Sequence, residues 1–176
     1  MSSPASSPKF TPEFATTFRE ITLGKIEREH PTTRRVIANV PDAKRDYKPE
    51  PNSRSAWDLA CHLAQSDVWF LNAIADQSFE FTGEPPKPAD NVQGLVKWYE
   101  AEFKKAAARV RAMSPQQLLK PVPFFGMMTM PAFLYLQFAQ DHNVHHRGQL
   151  STYLRPMGSK VPDIYGGSFD EPFKGQ

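Results

Sequence analysis

Apolar residues recur three or four positions apart in four long stretches of the chain, and this spacing predicts four helices. The first helix is predicted over residues 17 to 39, with Thr17 and Glu20 spaced as a capping box. Pro31 lies inside it and is expected to kink or break the helix, because proline has no amide proton to donate to the preceding turn. The expected apolar positions of this helix are Phe18, Ile21, Ile26 and Ile37.

The second helix is predicted to begin near Ser53 or Ser55 and to end near Ala75, with Ser55 and Asp58 spaced as a capping pair. The third is predicted over residues 91 to 112, with Asp90 as its N-cap. Inward positions are expected at Leu59, His62, Ser66, Trp69 and Ala73 in the second helix and at Leu95, Tyr99, Phe103 and Val110 in the third.

The fourth helix is predicted to have Pro131 in its first turn and to end near Arg155, where Pro156 and Gly158 give a stop signal. The segment before it is predicted to be irregular, although Ser114 and Pro115 could open a helical turn and residues 124–130 could form a small hairpin. Four long helices without a convincing sheet predict an all-α four-helix bundle.

The length of 176 residues fits one domain, predicted as a mobile tail over residues 1–10 and a bundle with an extended C-terminal tail over 11–176. A formal charge of +2, without runs of like charge, predicts no nucleic-acid or membrane partner. No secretory signal pattern or membrane-spanning apolar stretch is present in the sequence, which predicts a cytoplasmic protein. Because Cys61 is the only cysteine, a metal site would have to use nitrogen and oxygen ligands.

Two histidines of the fourth helix, His142 and His146, are four residues apart and therefore lie on one helical face. The expected stripe is Tyr135, Phe138, His142, His146, Gln149 and Tyr153, and its aromatic residues predict that it faces the core. Two adjacent buried imidazoles each need a hydrogen-bond partner, and a shared metal ion would satisfy both. The alternative is that both are ordinary, satisfied histidines on a partly exposed face.

A third histidine, His62, lies on the apolar stripe of the second helix, where it can share a bundle layer with the fourth helix. Three histidines with one position left for water are a recurring arrangement in catalytic divalent-metal sites. The sequence therefore predicts a metal triad of His62, His142 and His146. Imidazole ligands suit zinc, nickel or copper, and we expect one divalent ion, zinc or nickel.

The remaining candidates are less specific. His145 lies about 60° from His142 around the helix and could be a ligand, support a ligand by a hydrogen bond, or face a neighbouring helix. Glu27 and His30 have the Glu-x-x-His spacing of di-iron bundles, but no second such motif occurs, so a solvated face is the expected explanation. Cys61 is expected to be a small buried residue. Phosphate-binding and serine-hydrolase motifs are absent from the sequence.

Three segments resemble the DinB family of metal-binding four-helix proteins: SAWDLACHLAQSD, HNVHHRGQLSTYLRPMG and VPDIYGGSFDE. The resemblance extends over roughly residues 18 to 171. It implies an up-down-down-up bundle, often a homodimer, and a metal triad whose positions map to His62, His142 and His146. The aromatic tail residues Tyr165, Phe169 and Phe173 also favour a homodimer, since a single bundle need not cover them.

Relatives of this fold include mycothiol-dependent maleylpyruvate isomerase, bacillithiol transferases and proteins described as metal-dependent hydrolases. The resemblance therefore implies a metal-dependent hydrolase or a thiol-dependent transferase acting on a small molecule, with a low-molecular-weight thiol as the co-substrate of the transferase. The alternative is a non-catalytic, stress-related metal- or ligand-binding protein. Catalytic residues are not identifiable from the sequence: Gln149 and Tyr153 are candidates for supporting the site or facing substrate, while Asp58 and Asp67 are poorly oriented toward His62.

Overall fold

Four long helices form the body of the protein, as the apolar spacing predicted. The computed structural model describes residues 9–80, 83 and 85–173. Its elements are α1 (Pro12–Ala38), α2 (Ala56–Asp76), α3 (Val92–Arg111), α4 (Pro115–Leu119), β1 (Pro121–Phe124), β2 (Met128–Pro131) and α5 (Tyr135–Leu154). Short 3-10 turns at Asp42–Lys44 and Ala132–Leu134 complete the list. None of the described helices is both long and apolar enough to cross a membrane.

The caps explain where α2 and α3 begin. The Ser55 hydroxyl accepts a hydrogen bond from the backbone N–H of Asp58 (3.1 Å), which confirms the predicted capping pair. For α3 the cap is Asn91 instead of the predicted Asp90, because the Asn91 side chain accepts from the backbone N–H of Gly94 (2.8 Å). Pro131 precedes a 3-10 turn, so α5 begins at Tyr135, later than predicted.

The prediction for α1 was wrong at its start, and of the kink or break predicted at Pro31 the break does not occur. The helix begins at Pro12, and Thr11 rather than Thr17 caps it, by accepting from the N–H of Phe14 (3.2 Å). The helix also continues through Pro31 without a break. Burial of residues on both sides of the proline, such as Ile26 and Val36, offsets the one backbone hydrogen bond that proline removes.

The relative directions of the helices follow from side-chain contacts near their ends. Helices α2 and α3 are parallel, because Arg109 at the end of α3 pairs with Asp76 at the end of α2. Helix α1 is antiparallel to α3: Arg34, late in α1, pairs with Glu100 in the first half of α3 (3.0 Å).

Helix α5 runs antiparallel to α2. The early α5 residue Phe138 packs on Phe70 late in α2, and the late α5 residue His146 meets His62 early in α2. Together these directions give the up-down-down-up bundle that the family resemblance implied.

The segment predicted to be irregular is ordered. Helix α4 has a capping box formed by Ser114 and Gln117, and β1 pairs antiparallel with β2 so that Phe124 lies opposite Met128. The N–H of Met127 donates to the carbonyl of Phe124 (3.0 Å), which closes a turn centred on Phe125 and Gly126. Both central residues have positive φ, 50° and 71°, a conformation that costs a non-glycine residue about 1–2 kcal/mol.

The C-terminal residues pack along the bundle of their own chain. Arg35 of α1 donates to the carbonyl of Asp163 (2.5 Å) and pairs with Glu171 (3.1 Å). The Ser159 hydroxyl donates to the carbonyl of Asn39 (2.6 Å). These contacts hold the described part of the tail, up to residue 173, against the bundle of its own chain. Of the predicted N-terminal tail, residues 1–8 lie outside the described residues, while Phe10 packs edge-on against Phe133; the division into tail and domain stays a prediction.

Candidate metal centre

Two helices bring three histidines to one point. His62 lies two turns after the Ser55 cap of α2, and His142 and His146 lie one turn apart on α5. Each imidazole offers one ring nitrogen, and the three nitrogens lie within 4.8 Å of one another. The Nε2 atoms of His62 and His146 are 3.2 Å apart. The structure thus brings together the three residues that the sequence selected.

The spacing of these nitrogens fits a metal site. Two imidazole nitrogens bound to one zinc ion, each about 2.0–2.1 Å from it at a tetrahedral angle, lie about 3.3–3.4 Å apart. The separation of 3.2 Å between the Nε2 atoms is close to that value. The donor set consists of nitrogen alone, which suits a divalent transition metal better than calcium or magnesium.

All three imidazoles favour the neutral form, which is the form that binds metal. Burial, together with the positive charge of Arg54, lowers the pKa of His62 to about 3. Burial and the neighbouring His146 lower the pKa of His142 to about 4, and burial also lowers the pKa of His146. At neutral pH the ligands therefore do not have to lose protons before they bind a cation.

Gln149 fixes the orientation of one ligand. Its Oε1 lies 2.8 Å from Nδ1 of His146 and can only accept, so the proton sits on Nδ1 and the Nε2 lone pair faces the other histidines. This contact was one of the roles suggested for Gln149 from the sequence. The buried Nδ1 of His142 has no hydrogen-bond partner within the described part of the chain. A bound cation would satisfy a ring nitrogen left in this way.

The predicted stripe does not face the core throughout, and this corrects the sequence analysis. Tyr135 and Tyr153 are buried, but His142 and His146 are only half-buried, and Phe138 and Gln149 are exposed. The most buried side of the helix is the adjacent one, formed by Leu136, Ala139, Gln140, Asn143, Arg147, Leu150 and Leu154. The histidines therefore lie at the edge of the bundle, where ligands can reach them.

Two clefts meet at His62. The first has a volume of about 710 Å³ and is lined by His62, His142, Glu80 and the aromatic residues Trp69, Phe70, Phe79, Phe124 and Phe125. The second, of about 540 Å³, is polar, and its lining includes Lys48, Arg54, Asp58 and Lys87. The site thus has an aromatic side and a charged side. A small molecule with both kinds of group can contact the two sides at once.

The other predicted candidates lie elsewhere. His145 is exposed, and its ring centre is 4.8 Å from that of His146. It therefore lies beside the site but is not one of the three converging histidines. Cys61 is buried as expected, and burial raises the pKa of its thiol to about 12. Tyr153 packs edge-on against Tyr47 instead of supporting a histidine.

The solvated face predicted for Glu27 and His30 is wrong for His30. Its ring is buried and stacks on Phe103, with ring centres 3.9 Å apart. Burial lowers the pKa of His30 to about 4, and the positive charge of Arg34 contributes. Glu27 instead pairs at the surface with Arg111 (2.5 Å), so the two residues do not form a di-iron motif.

The carboxylates near His62 in sequence are engaged elsewhere. Asp58 pairs with Lys87 (2.5 Å) and accepts from the Ser55 hydroxyl (2.7 Å). Asp67 is buried and accepts from the hydroxyl of Tyr99 and from the amide of Asn143 (2.7 Å). Burial raises the pKa of Asp67 to about 6, against the lowering effect of both donors.

A buried polar network beside the site was missed by the sequence analysis. From Asp67 it continues through Asn143 and Thr33 to Arg147, which pairs with Glu29 (2.6 Å) and donates to the Tyr165 hydroxyl (2.5 Å). Asn143 and Arg147 are four residues apart, like the two histidines that they follow. That repeated polar spacing was the available signal.

Comparison with known proteins places the chain in a family. The sequence model of the DinB family matches residues 17–174. YjoA of Bacillus subtilis is 30% identical over 123 residues, which are 68% of this chain and 77% of YjoA. YrdA of the same organism is 24% identical over 153 residues, 85% of this chain and 89% of YrdA. Both are named as uncharacterized proteins.

Solved structures show the same fold. The crystal structure of the DinB-like protein YjoA superimposes with a TM-score of 0.67 at 24% identity, covering 82% of this chain and 97% of the other. A DinB-like protein from Bacillus cereus superimposes with a TM-score of 0.70 at 22% identity, covering 83% and 97%. The match of the family model over nearly the whole chain, on the same helical bundle, shows that this protein belongs to the DinB family.

Proposed function

We propose that His62, His142 and His146 bind one divalent metal ion, zinc or nickel, and that the protein is a metal-dependent enzyme acting on a small molecule. The observation that supports this most is the convergence of three neutral imidazole nitrogens within 4.8 Å at the mouth of a cleft. A buried structural site would have no reason to open on a cleft of about 710 Å³.

Chemically, a bound divalent ion would lower the pKa of a coordinated thiol or water, so that a nucleophile forms at neutral pH. The chain's own residues define the rest of the site. Gln149 holds His146 in one tautomer, and the aromatic wall of the cleft excludes water from a bound apolar group.

Of the two reaction types implied by the family resemblance, thiol transfer fits the described residues better than hydrolysis. A hydrolase of this kind needs a general base for water, yet Asp58 and Asp67 are held by other partners. A small thiol, in contrast, can lose its proton to solvent on coordination. Its sulfur then forms a bond to an electrophilic carbon, and the bond from that carbon to the leaving group breaks.

The thiol has to come from outside the chain. Cys61 is the only cysteine. It borders the second cleft but is buried, and burial raises the pKa of its thiol to about 12, so it is protonated at neutral pH. A low-molecular-weight thiol is therefore the proposed co-substrate. Metal-dependent hydrolysis is the second candidate, favoured if Glu80, which lines both clefts, acts as the base.

Elemental analysis of protein purified without metal-affinity chromatography tests the first part of the proposal, with zinc or nickel expected near one ion per chain. Metal-loaded protein is then assayed with an alkyl halide electrophile in the presence of glutathione or cysteine, and separately with carboxylic esters. We expect metal-dependent loss of the thiol in the first assay. Stoichiometric metal without turnover in either assay would favour the alternative of a non-catalytic metal- or ligand-binding protein.

We also propose that the protein forms a homodimer in the cytoplasm. The support is the exposure of three aromatic tail residues, Tyr165, Phe169 and Phe173, whose rings a second copy would cover. Sedimentation equilibrium should give about twice the chain mass of 19.9 kDa at micromolar concentration. A mass near that of one chain across the concentration range would contradict a dimer.

A further inference from the structure

Two aromatic rings face each other in the cleft beside the histidines. The rings of Trp69 and Phe125 are parallel to within 3°, and their centres lie 6.2 Å apart. A flat ring inserted between two others needs about 7 Å, because stacked carbon atoms approach to roughly 3.5 Å on each side. The gap between the two ring planes is at most this centre-to-centre distance, so Phe125 has to move outward before a flat ring fits between them.

One wall of this slot is fixed and the other is free to shift. Trp69 lies on α2, packs edge-on against Phe70 and Phe79, and donates its indole N–H to the carbonyl of Glu80 (3.4 Å). Phe125 lies at the tip of the β1–β2 hairpin, and 45% of it is exposed. A small movement of the hairpin tip therefore opens the slot without disturbing the helices.

The backbone conformation of Phe125 indicates that the turn itself does not require a phenylalanine at this position. Phe125 has a φ of 50° and is followed by Gly126 with a φ of 71°. Turns with two positive φ values favour asparagine followed by glycine, and a bulky residue at the first position is strained. Strained residues of this kind cluster at ligand-binding sites.

The slot and the histidines belong to the same cleft. Trp69 follows His62 by seven residues, so both lie on one face of α2, about 10 Å apart along the helix axis. We propose that Trp69 and Phe125 bind the planar aromatic ring of the substrate, so that the substrate class is arylalkyl compounds whose polar end reaches the histidines. The position of the polar end rests on the proposed metal-binding function, but the binding of the ring does not.

The first experiment compares two ligands of matched size and differing ring shape. Zinc-loaded protein is titrated calorimetrically with 3-phenylpropionate and with 3-cyclohexylpropionate. The second has the same carbon skeleton and greater hydrophobicity, but its ring is puckered and thicker. We expect the phenyl compound to bind about 2- to 12-fold more tightly, the range that aromatic stacking contributes beyond buried area. Equal affinities, or a preference for cyclohexyl, in this titration and in the metal-free titration below would overturn the slot.

The second experiment separates ligand binding from folding. Phe125→Asn introduces the residue that the turn prefers, so its melting temperature should stay the same or rise, while its preference for phenyl over cyclohexyl disappears. Phe125→Leu keeps an apolar side chain without a flat ring and should lose the same preference. Phe169→Asn, at an exposed aromatic residue of the tail, is the matched control and should keep it. A retained preference in both Phe125 variants would contradict the proposal.

A metal-free arm distinguishes failure of the slot from failure of the metal site. Protein treated with chelator is titrated with 3-phenylpropanol and 3-cyclohexylpropanol, neither of which carries a carboxylate. Phenyl preference in this arm supports the slot even if the histidines bind no metal. If neither the metal-free nor the zinc-loaded protein prefers the phenyl compound, the slot is overturned, whether or not the histidines bind metal.

Discussion

Two neighbouring faces of α5 each carry a pair of polar residues four positions apart. The two pairs have different hydrogen-bonding environments. Asn143 and Arg147 are buried, and their polar groups bind within the protein, to Asp67 (2.7 Å) and to Glu29 (2.6 Å). His142 and His146 are half-buried, and Nδ1 of His142 has no partner within the described part of the chain. Asn143 and Arg147 close the bundle with satisfied groups, whereas the histidine pair keeps bonding capacity at the mouth of a cleft.

The difference shows how to separate structural from functional polar residues on one helix. A satisfied buried network stabilises the fold if it is complete and is costly if one member is removed. Polar groups left with unused capacity cost free energy in the folded protein, which makes a ligand the simplest explanation of their retention. The following predictions test this division, beginning with the largest expected effect.

The largest loss of stability is expected when the buried charge of Arg147 is removed. Arg147 has 1% of its side chain exposed and its partner Glu29 has 15%, so Arg147→Met leaves a largely buried carboxylate unpaired. We expect a loss of about 3–5 kcal/mol in the free energy of unfolding, measured by urea denaturation of the metal-free protein. Arg155→Met, which breaks the exposed pair with Asp170, is the control and should cost less than about 1 kcal/mol. If both variants lose less than about 1 kcal/mol in the free energy of unfolding, the buried polar network does not stabilise the packing of α5.

Removing one of the three clustered histidines should affect metal binding rather than the stability of the metal-free protein. Alanine at His62, His142 or His146 should lower zinc and nickel affinity by at least about 100-fold, more than the ~10- to 100-fold cost of losing a residue that only supports a ligand. Isothermal titration measures this. His145→Ala should give a smaller loss, and His30→Ala should leave affinity nearly intact because His30 packs against α3. Full affinity in the His62 variant would reduce the triad to a chance helical pair.

Chelation should lower the stability of the whole bundle, because the metal would link α2 to α5 only in the folded state. With free metal at about 100 times its dissociation constant, the stabilisation is about 2.7 kcal/mol. For a chain of this size that corresponds to about 5–10 °C in melting temperature, measured by scanning calorimetry before and after metal removal. An unchanged melting curve after verified removal would mean that the histidines form no native site.

The smallest effect is expected at Gln149, which orients His146 from an exposed position. Gln149→Leu should lower metal affinity about 10-fold and leave the stability of the metal-free protein unchanged, since no buried contact is lost. Gln137→Leu, on the same helix and equally exposed, should change neither quantity. A fall in stability without a fall in metal affinity would show that Gln149 stabilises the fold and does not support the metal site.

The sequence predicted those features that depend on local spacing. Apolar periodicity placed four long helices, and the His-x-x-x-His spacing put His142 and His146 on one face. The start of α1 was missed because Thr17 and Glu20 were taken as the capping box, while the cap at Thr11 lies farther upstream. One of the expected apolar positions, Ile21, is 66% exposed. Periodicity alone does not say which of two neighbouring faces is the more buried.

Apart from the meeting of His62 with the histidine pair of α5, contacts between helices were not predictable from spacing within one helix. His30 has polar neighbours in sequence and was assigned to a solvated face, yet its ring stacks on Phe103 of another helix. Asp67 has partners on α3 and α5, so no spacing within α2 reveals them. The slot between Trp69 and Phe125 likewise joins a helix to a hairpin tip that are far apart in the chain.

The parallel arrangement of α2 and α3 has a consequence for how such a protein diversifies. Helix α2 is 21 residues long, about 31 Å, and the chain has to return over that distance before α3 can begin. The returning segment brings Glu80, Gly83 and Lys87 to the clefts at His62. Among its described residues between α2 and α3 only Phe79 is buried, so the core constrains few of them. Selection for a new substrate can therefore act on this crossover while the histidines and the bundle stay as they are.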